Sequence, residues 1–134
     1  MTSRRELSDR DYRTLADFRG ALRSFLRFSE EAARAAGLTP AQHQLLLAVR
    51  AHEEGAPTMS DMADALQLKL HSTVELSARA EANGLLSRHA DPDDHRRVRI
   101  ELTVEGASKL AELSLAHRDE LEQFRAQLGV VEHP

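Results

Sequence analysis

Among its 134 residues the chain has no cysteine and no tryptophan, and its aromatics are one tyrosine and four phenylalanines. Without thiols, disulfides, thiolate metal sites and a cysteine peroxide sensor are excluded. With so few aromatic rings, nothing marks a surface for stacking on a particular ligand. No stretch approaches the ~20 continuous apolar residues of a membrane span, and the Arg-rich N-terminus lacks the apolar run of a signal peptide. The expectation is a soluble, cytoplasmic protein with no membrane partner. Nucleophile elbow, phosphate-cradling glycine loop and metal motif are missing too. The histidines, His43, His52, His71, His89, His95, His117 and His133, show no H-x-x-x-H spacing. No catalysis, metal or cofactor is therefore expected.

A cationic excess is also lacking, since the formal net charge is -4. Its distribution matters more than its sum. Residues 1–37 hold eight Arg against six acids, 38–66 one cation against four, 67–103 six against six, and 104–134 three against six. Non-specific DNA affinity rests on cations that neutralise phosphates. If such a chain binds DNA, the binding is expected to be modest and salt-sensitive, with two copies of the site in a dimer compensating.

What is present is a charged turn followed by an alternating strand, Ala90 to Thr103. Val98, Ile100 and Leu102 fall on one face and Arg97, Arg99 and Glu101 on the other. Asp91-Pro92-Asp93-Asp94 supplies turn chemistry, and Leu85 to His89 is the expected partner strand. Alone, this is either a DNA wing or an ordinary surface hairpin. The preceding residues favour the wing. Thr58 caps a short helix with Asp61 three positions on, the helix stops near Gln67, and Lys69 to Asn83 forms a second helix closed by Gly84. Helix, turn, helix and basic ribbon, in that order, describe a winged helix-turn-helix.

Two longer helices flank this unit. Ser8 or Asp9 caps the first, whose Leu15, Phe18, Leu22 and Phe25 keep helical spacing as far as Gly37. Thr39, Pro40 and Gln42 open another helix that buries Leu45, Leu46 and Val49. Thr103 caps a last helix about 37 Å long, with Leu110, Leu113, His117, Leu121, Phe124 and Leu128 at alternating spacings of three and four. One compact domain cannot cover both long helices, so they are the expected dimer interface, through Leu15, Phe18, Leu22, Leu113, His117, Leu121, Phe124 and Leu128. The fold class is mainly α with a small antiparallel β-ribbon. A single domain over 1–134 is expected, with the winged helix-turn-helix at about 38–103 and dimerisation helices at about 9–37 and 103–128.

Helical phase selects the reading residues. If Thr73, Leu76, Ser77 and Ala80 face the core, His71 and Glu75 point outward, flanked by Val74 and Arg79. His71 suits guanine, Glu75 the cytosine amino group and Val74 a thymine methyl; Glu75 reads equally well as a solvated acid. Lys69, Ser72, Arg79 and Arg88 suit phosphates, as do Thr58 and Ser60 at a helix N-terminus.

Asp94-His95-Arg96-Arg97-Val98-Arg99-Ile100-Glu101-Leu102-Thr103 resembles the wing pattern D-[KR]-R-x-x-x-[VI]-x-L-T of the MarR family of transcriptional regulators. Leu38 to Leu47 and His71 to Leu76 are similar to family segments as well, and the likeness runs from about Asp11 to Leu128. The resemblance implies an intertwined homodimer on pseudo-palindromic double-stranded operator DNA, released when a small-molecule effector binds. It implies a minor-groove role for Arg96, beside Arg97, and a wing-supporting role for Asp94. An effector pocket near Phe25, Phe28, His43 and Leu47 follows from it, although core packing explains those residues equally well.

Some positions depart from the family pattern. His95 stands where Lys or Arg is usual, Ser77 and Ala80 thin the core face of the reading helix, and Ala78 replaces a common acid. A further C-terminal helix has no counterpart before Pro134, which bears on dimer strength. Two readings stay open: a ligand-responsive homodimeric repressor, or a MarR-like interaction or ligand-binding protein with weakened DNA binding.

Overall fold

The computed structural model describes residues 6–129; His133 and Pro134 lie outside them. Five helices and one hairpin follow in the order α1 (Asp9–Ala35), α2 (Pro40–Ala51), α3 (Met59–Leu66), α4 (Leu70–Ala82), β1 (Leu86–Ala90), β2 (Val98–Leu102) and α5 (Val104–Gln127). Among the described residues no helix is long and apolar enough to cross a membrane.

Local chemistry sets the helix starts. Ser8 with Asp11, Thr39 with Gln42 and Thr58 with Asp61 form complete capping boxes, each side chain bonding the other residue's backbone N–H. Thr103 caps α5 by accepting from the Gly106 N–H at 3.0 Å. The helix ends are equally explicit. Gly84, at φ +76°, places its N–H on the Glu81 carbonyl at 2.9 Å, while Leu85 N–H reaches the Ala80 carbonyl at 3.0 Å. This paired closure needs a left-handed residue, which glycine adopts without a Cβ penalty.

Leu85 is thereby committed to the helix stop, so β1 starts one residue later than the expected Leu85 to His89. The hairpin is antiparallel, with Leu86 opposite Leu102 and Ala90 opposite Val98. Its alternation is only partly a burial pattern: Ile100 is fully buried, Leu102 half-buried and Val98 exposed. Val98 lies out on the wing, beyond the reach of the core.

Every element contributes to one core. Ala33, Leu45, Leu46, Val49, Met59, Met62, Ala80, Leu86, Ile100, Leu110 and Leu113 pack together within it. Burying a side chain such as Leu45 or Ile100 contributes about 1.5–3 kcal/mol. The small core face of α4, Thr73, Ser77 and Ala80, is completely buried. Met59 fills the space beside it, taking a hydrogen bond from Ser77 Oγ on its Sδ at 3.2 Å. A flexible thioether suits an irregular gap of this kind.

The two long helices pack on each other within one chain. Phe25 lies 5.4 Å from Phe124 and 6.1 Å from His117, and Phe18 lies 6.5 Å from Phe124, between ring centroids. Leu113, expected at a dimer interface, is instead only 4% exposed within the single-chain core, because α5 turns this side toward α2. Leu15 and Phe18 on α1 and Leu121 on α5 remain exposed; Leu22, His117, Phe124 and Leu128 are half-buried.

Candidate nucleic-acid interface

The N-terminus of α3, the front of α4 and the wing enclose a cleft of about 640 Å³. Thr58, Ser60, Val74, Arg88, Arg96 and Arg97, six of the residues expected to meet DNA, converge on its walls. Lys69, His71, Glu75, Arg79 and His95 are exposed outside that lining, and Ser72 is half-buried.

The cations here are not equivalent. Arg96 extends into solvent, its side chain 91% exposed, with Nε on Asp94 Oδ1 at 3.1 Å; Arg97 Nε lies 3.8 Å from Asp94 Oδ2. Asp94 also accepts the Arg96 backbone N–H at 3.0 Å. The side-chain bond from Arg96 is the main reason its carboxyl is held below the usual carboxylate range. Solvent screens an exposed pair of this kind, so a phosphate can displace Asp94 at little cost.

Arg88 is held more firmly. Its Nε and Nη2 both donate to Glu81 Oε1, at 3.1 and 3.0 Å, and its backbone N–H donates to Glu81 Oε2 at 3.0 Å. The Arg88 side chain keeps the Glu81 carboxyl below its ordinary range. Arg99, counted among the wing cations by its place in the strand, is not available at all. Its Nε reaches Asp91 Oδ2 at 2.8 Å and its Nη1 the Ala56 carbonyl at 2.7 Å. Asp91 is buried, accepts the Asp93 and Asp94 N–H groups at 2.7 and 3.3 Å, and is held ionised first by the Asp93 N–H and then by Arg99. Arg99 thus straps the wing to the loop before α3, and Ile100 N–H on the Pro57 carbonyl at 2.9 Å adds a second tie.

Glu81, Asp91 and Arg99 are functional supports that the sequence reading passed over. With Ala90 opposite Val98, Asp91 and Arg99 become diagonal neighbours across the hairpin, a pairing that long side chains reach. Correct register would have revealed them. Thr58 is also more occupied than expected: its Oγ1 accepts the Asp61 N–H at 3.1 Å, and Asp61 caps the Thr58 N–H at 2.9 Å. That cap, chiefly the Thr58 N–H bond, keeps the Asp61 carboxyl low, so the start of α3 already carries an anion. The exposed Ser60 is left as its outward hydroxyl.

A second cavity, about 660 Å³, lies between α1, α2 and α5 and is lined by Phe25, His43, Leu47 and His117, among others. Phe28 is not part of that lining, although its ring lies 5.3 Å from His117. His117 Nδ1 meets the Leu113 carbonyl at 2.7 Å and Nε2 meets Ser29 Oγ at 2.8 Å. A carbonyl only accepts, so Nδ1 carries the proton, and in the neutral ring Nε2 accepts from the Ser29 hydroxyl. His43 is buried with its ring 4.8 Å from that of His117. Burial, and secondarily His117, pushes the His43 pKa down.

Residues 36–97 match the family model described as MarR family. The match spans the winged helix-turn-helix, a little under half of the chain. Over 114 residues the chain is 28% identical to a putative transcriptional regulatory protein for the hcr operon of Thauera aromatica, covering 85% of this chain and 68% of that one. It is similar to S. aureus MepR, in a mutant form bound to an oligodeoxyribonucleotide: 28% identity, TM-score 0.69, coverage 88% and 81%. Its fold is also that of AbsC, a MarR family transcriptional regulator from Streptomyces coelicolor, with TM-score 0.77, 21% identity and coverage of 92% and 84%. The Thauera relative and AbsC are described as transcriptional regulators, and MepR is seen bound to DNA.

Proposed function

We propose that this protein is a ligand-responsive homodimeric repressor that seats α4 in the major groove of a pseudo-palindromic operator and Arg96 in the adjoining minor groove. The observation that carries this reading is the convergence of Thr58, Ser60, Val74, Arg88, Arg96 and Arg97 on one cleft. His71 and Glu75 face base edges from the exposed side of α4, and Lys69, Ser72, Arg79, Arg88, Thr58 and Ser60 meet phosphates. Arg96, with Arg97 and His95 beside it, enters a narrow A·T-rich minor groove, where negative potential is greatest. Asp94 positions Arg96 until the duplex replaces it. The dimer forms through apolar residues of the two long helices that the chain's own core leaves exposed or half-buried, among them Leu15, Phe18, Leu22, Leu121, Phe124 and Leu128. The effector enters the cavity lined by Phe25, His43 and Leu47, whose volume lies within the range of small-molecule sites.

The test is fluorescence anisotropy on the intergenic DNA flanking the protein's own gene, at two salt concentrations, with Arg96→Ala beside the wild type. Specific binding persists in excess competitor DNA for the wild type. In the variant it weakens at least about tenfold, and the salt slope falls by about one unit per lost phosphate contact. Weak binding that competitor abolishes equally in both proteins overturns the reading. That result would favour a MarR-like interaction protein, for which the acids Glu81 and Asp94 on the cleft arginines are the supporting observation.

A further inference from the structure

Two large apolar side chains stand in water at the front of α4, one helical turn apart. Leu70 is 52% exposed and Val74 39% exposed, and both line the cleft that also holds Arg88, Arg96 and Arg97. Neither side chain offers anything to a phosphate. Between Lys69 and Arg79 the helix carries no Lys or Arg, and its outward acid Glu75 repels a phosphate backbone. The cations of the cleft therefore lie on the wing and β1, while the part of α4 that lines it, Leu70 and Val74, is apolar.

We propose that Leu70 and Val74 determine operator specificity by reading thymine C5-methyl groups in the major groove. This rests on the cleft being the DNA interface. The thymine methyl is the one apolar group on the major-groove edge of a base pair. Against any other edge, the same two side chains would cover N7, O6, N4 or N6 and leave it without a hydrogen-bond partner, which is costly. Four residues of helix advance about 6 Å, against about 3.4 Å per base along a strand. The two methyls read by this pair therefore fall within about two base steps of each other in each half-site.

The experiment selects duplexes from a randomised pool with the wild-type protein, then prepares the selected duplex with thymine or with deoxyuridine throughout, which removes only the methyls. Binding to both forms is measured by anisotropy with excess competitor DNA, for wild type, Leu70→Ala/Val74→Ala and Arg96→Ala. Wild type is expected to lose at least about tenfold in affinity on the uracil form. The double variant should bind both forms alike, and Arg96→Ala should weaken both in the same proportion. Equal wild-type affinity for the two forms overturns the inference even if the variant misfolds, as does a thymine preference that survives in the double variant. If no duplex is enriched, the reading of the cleft as a DNA interface fails, and this inference falls with it.

Discussion

Two arginines three positions apart in this wing do different work, and their partners decide which. Arg96 is tethered only by an exposed carboxylate, whereas Arg99 bonds a buried aspartate and a backbone carbonyl. Arg99 shapes the wing and Arg96 is free to leave it. A histidine supplies the prediction at this scale. The native His43 pKa lies below the ordinary value of about 6.5 because the ring is buried beside His117. The unfolded chain therefore takes up a proton that the native state refuses. This contribution to stability is fully present above about pH 6.5 and is lost as pH falls below it toward the native value. Thermal melts of wild type should decline over that range, and His43→Leu should decline less steeply; equal slopes would remove His43 as the cause.

At the scale of elements, conflict with local preference marks where tertiary structure prevails. Gln67 closes α3 in the left-handed region at φ 56°, although it is not glycine. Such a conformation costs an ordinary residue about 1–2 kcal/mol, partly offset by the chain entropy a glycine would lose. Gln67→Gly should therefore raise unfolding free energy by about 0.5–1 kcal/mol in denaturant titrations. An unchanged or lowered value would contradict that account of the α3 stop. Gly106 is constrained differently: a Cβ there would sit 2.1 Å from the Leu85 carbonyl oxygen. Gly106→Ala must push α5 away from the Leu85 backbone and should cost about 1–3 kcal/mol in the same measurement.

The elements most legible in the sequence were those whose ends are written locally, because a capping box or a glycine stop needs only neighbouring residues. Thr39 with Gln42, Thr58 with Asp61, and Gly84 are examples. The inward phase of α4 was legible for the same reason, since Thr73, Ser77 and Ala80 share one face. What fills the gap beside that face was not, because Met59 belongs to another helix. The strap from Arg99 to Ala56 joins residues 43 apart, and no local pattern encodes it.

For the whole molecule, the informative imbalance lies in α1. Its buried residues are Ala21 and Ala33 alone, while Tyr12, Leu15, Phe18 and Leu26 stay exposed. Heptad-like spacing identified the apolar sides of α1 and α5 but could not say which part faces the chain's own core, and Leu113 shows the difference. If the exposed part meets a second copy, sedimentation should give twice the 14.9 kDa chain mass. Leu15→Glu should shift that equilibrium toward monomer and take specific DNA binding with it. A wild-type protein that sediments as a monomer at micromolar concentration would contradict the homodimer.

The most direct measurement is a hydroxyl-radical footprint of the protein on the DNA flanking its own gene, wild type beside Arg96→Ala, in excess competitor DNA. A homodimer reading through α4 and the wing leaves a two-fold symmetric footprint, with half-sites about one helical turn apart or a multiple of it. Minor-groove protection at its outer edges should disappear in the variant. A footprint without symmetry, or none that survives competitor, would contradict the cleft's role as an operator-reading surface.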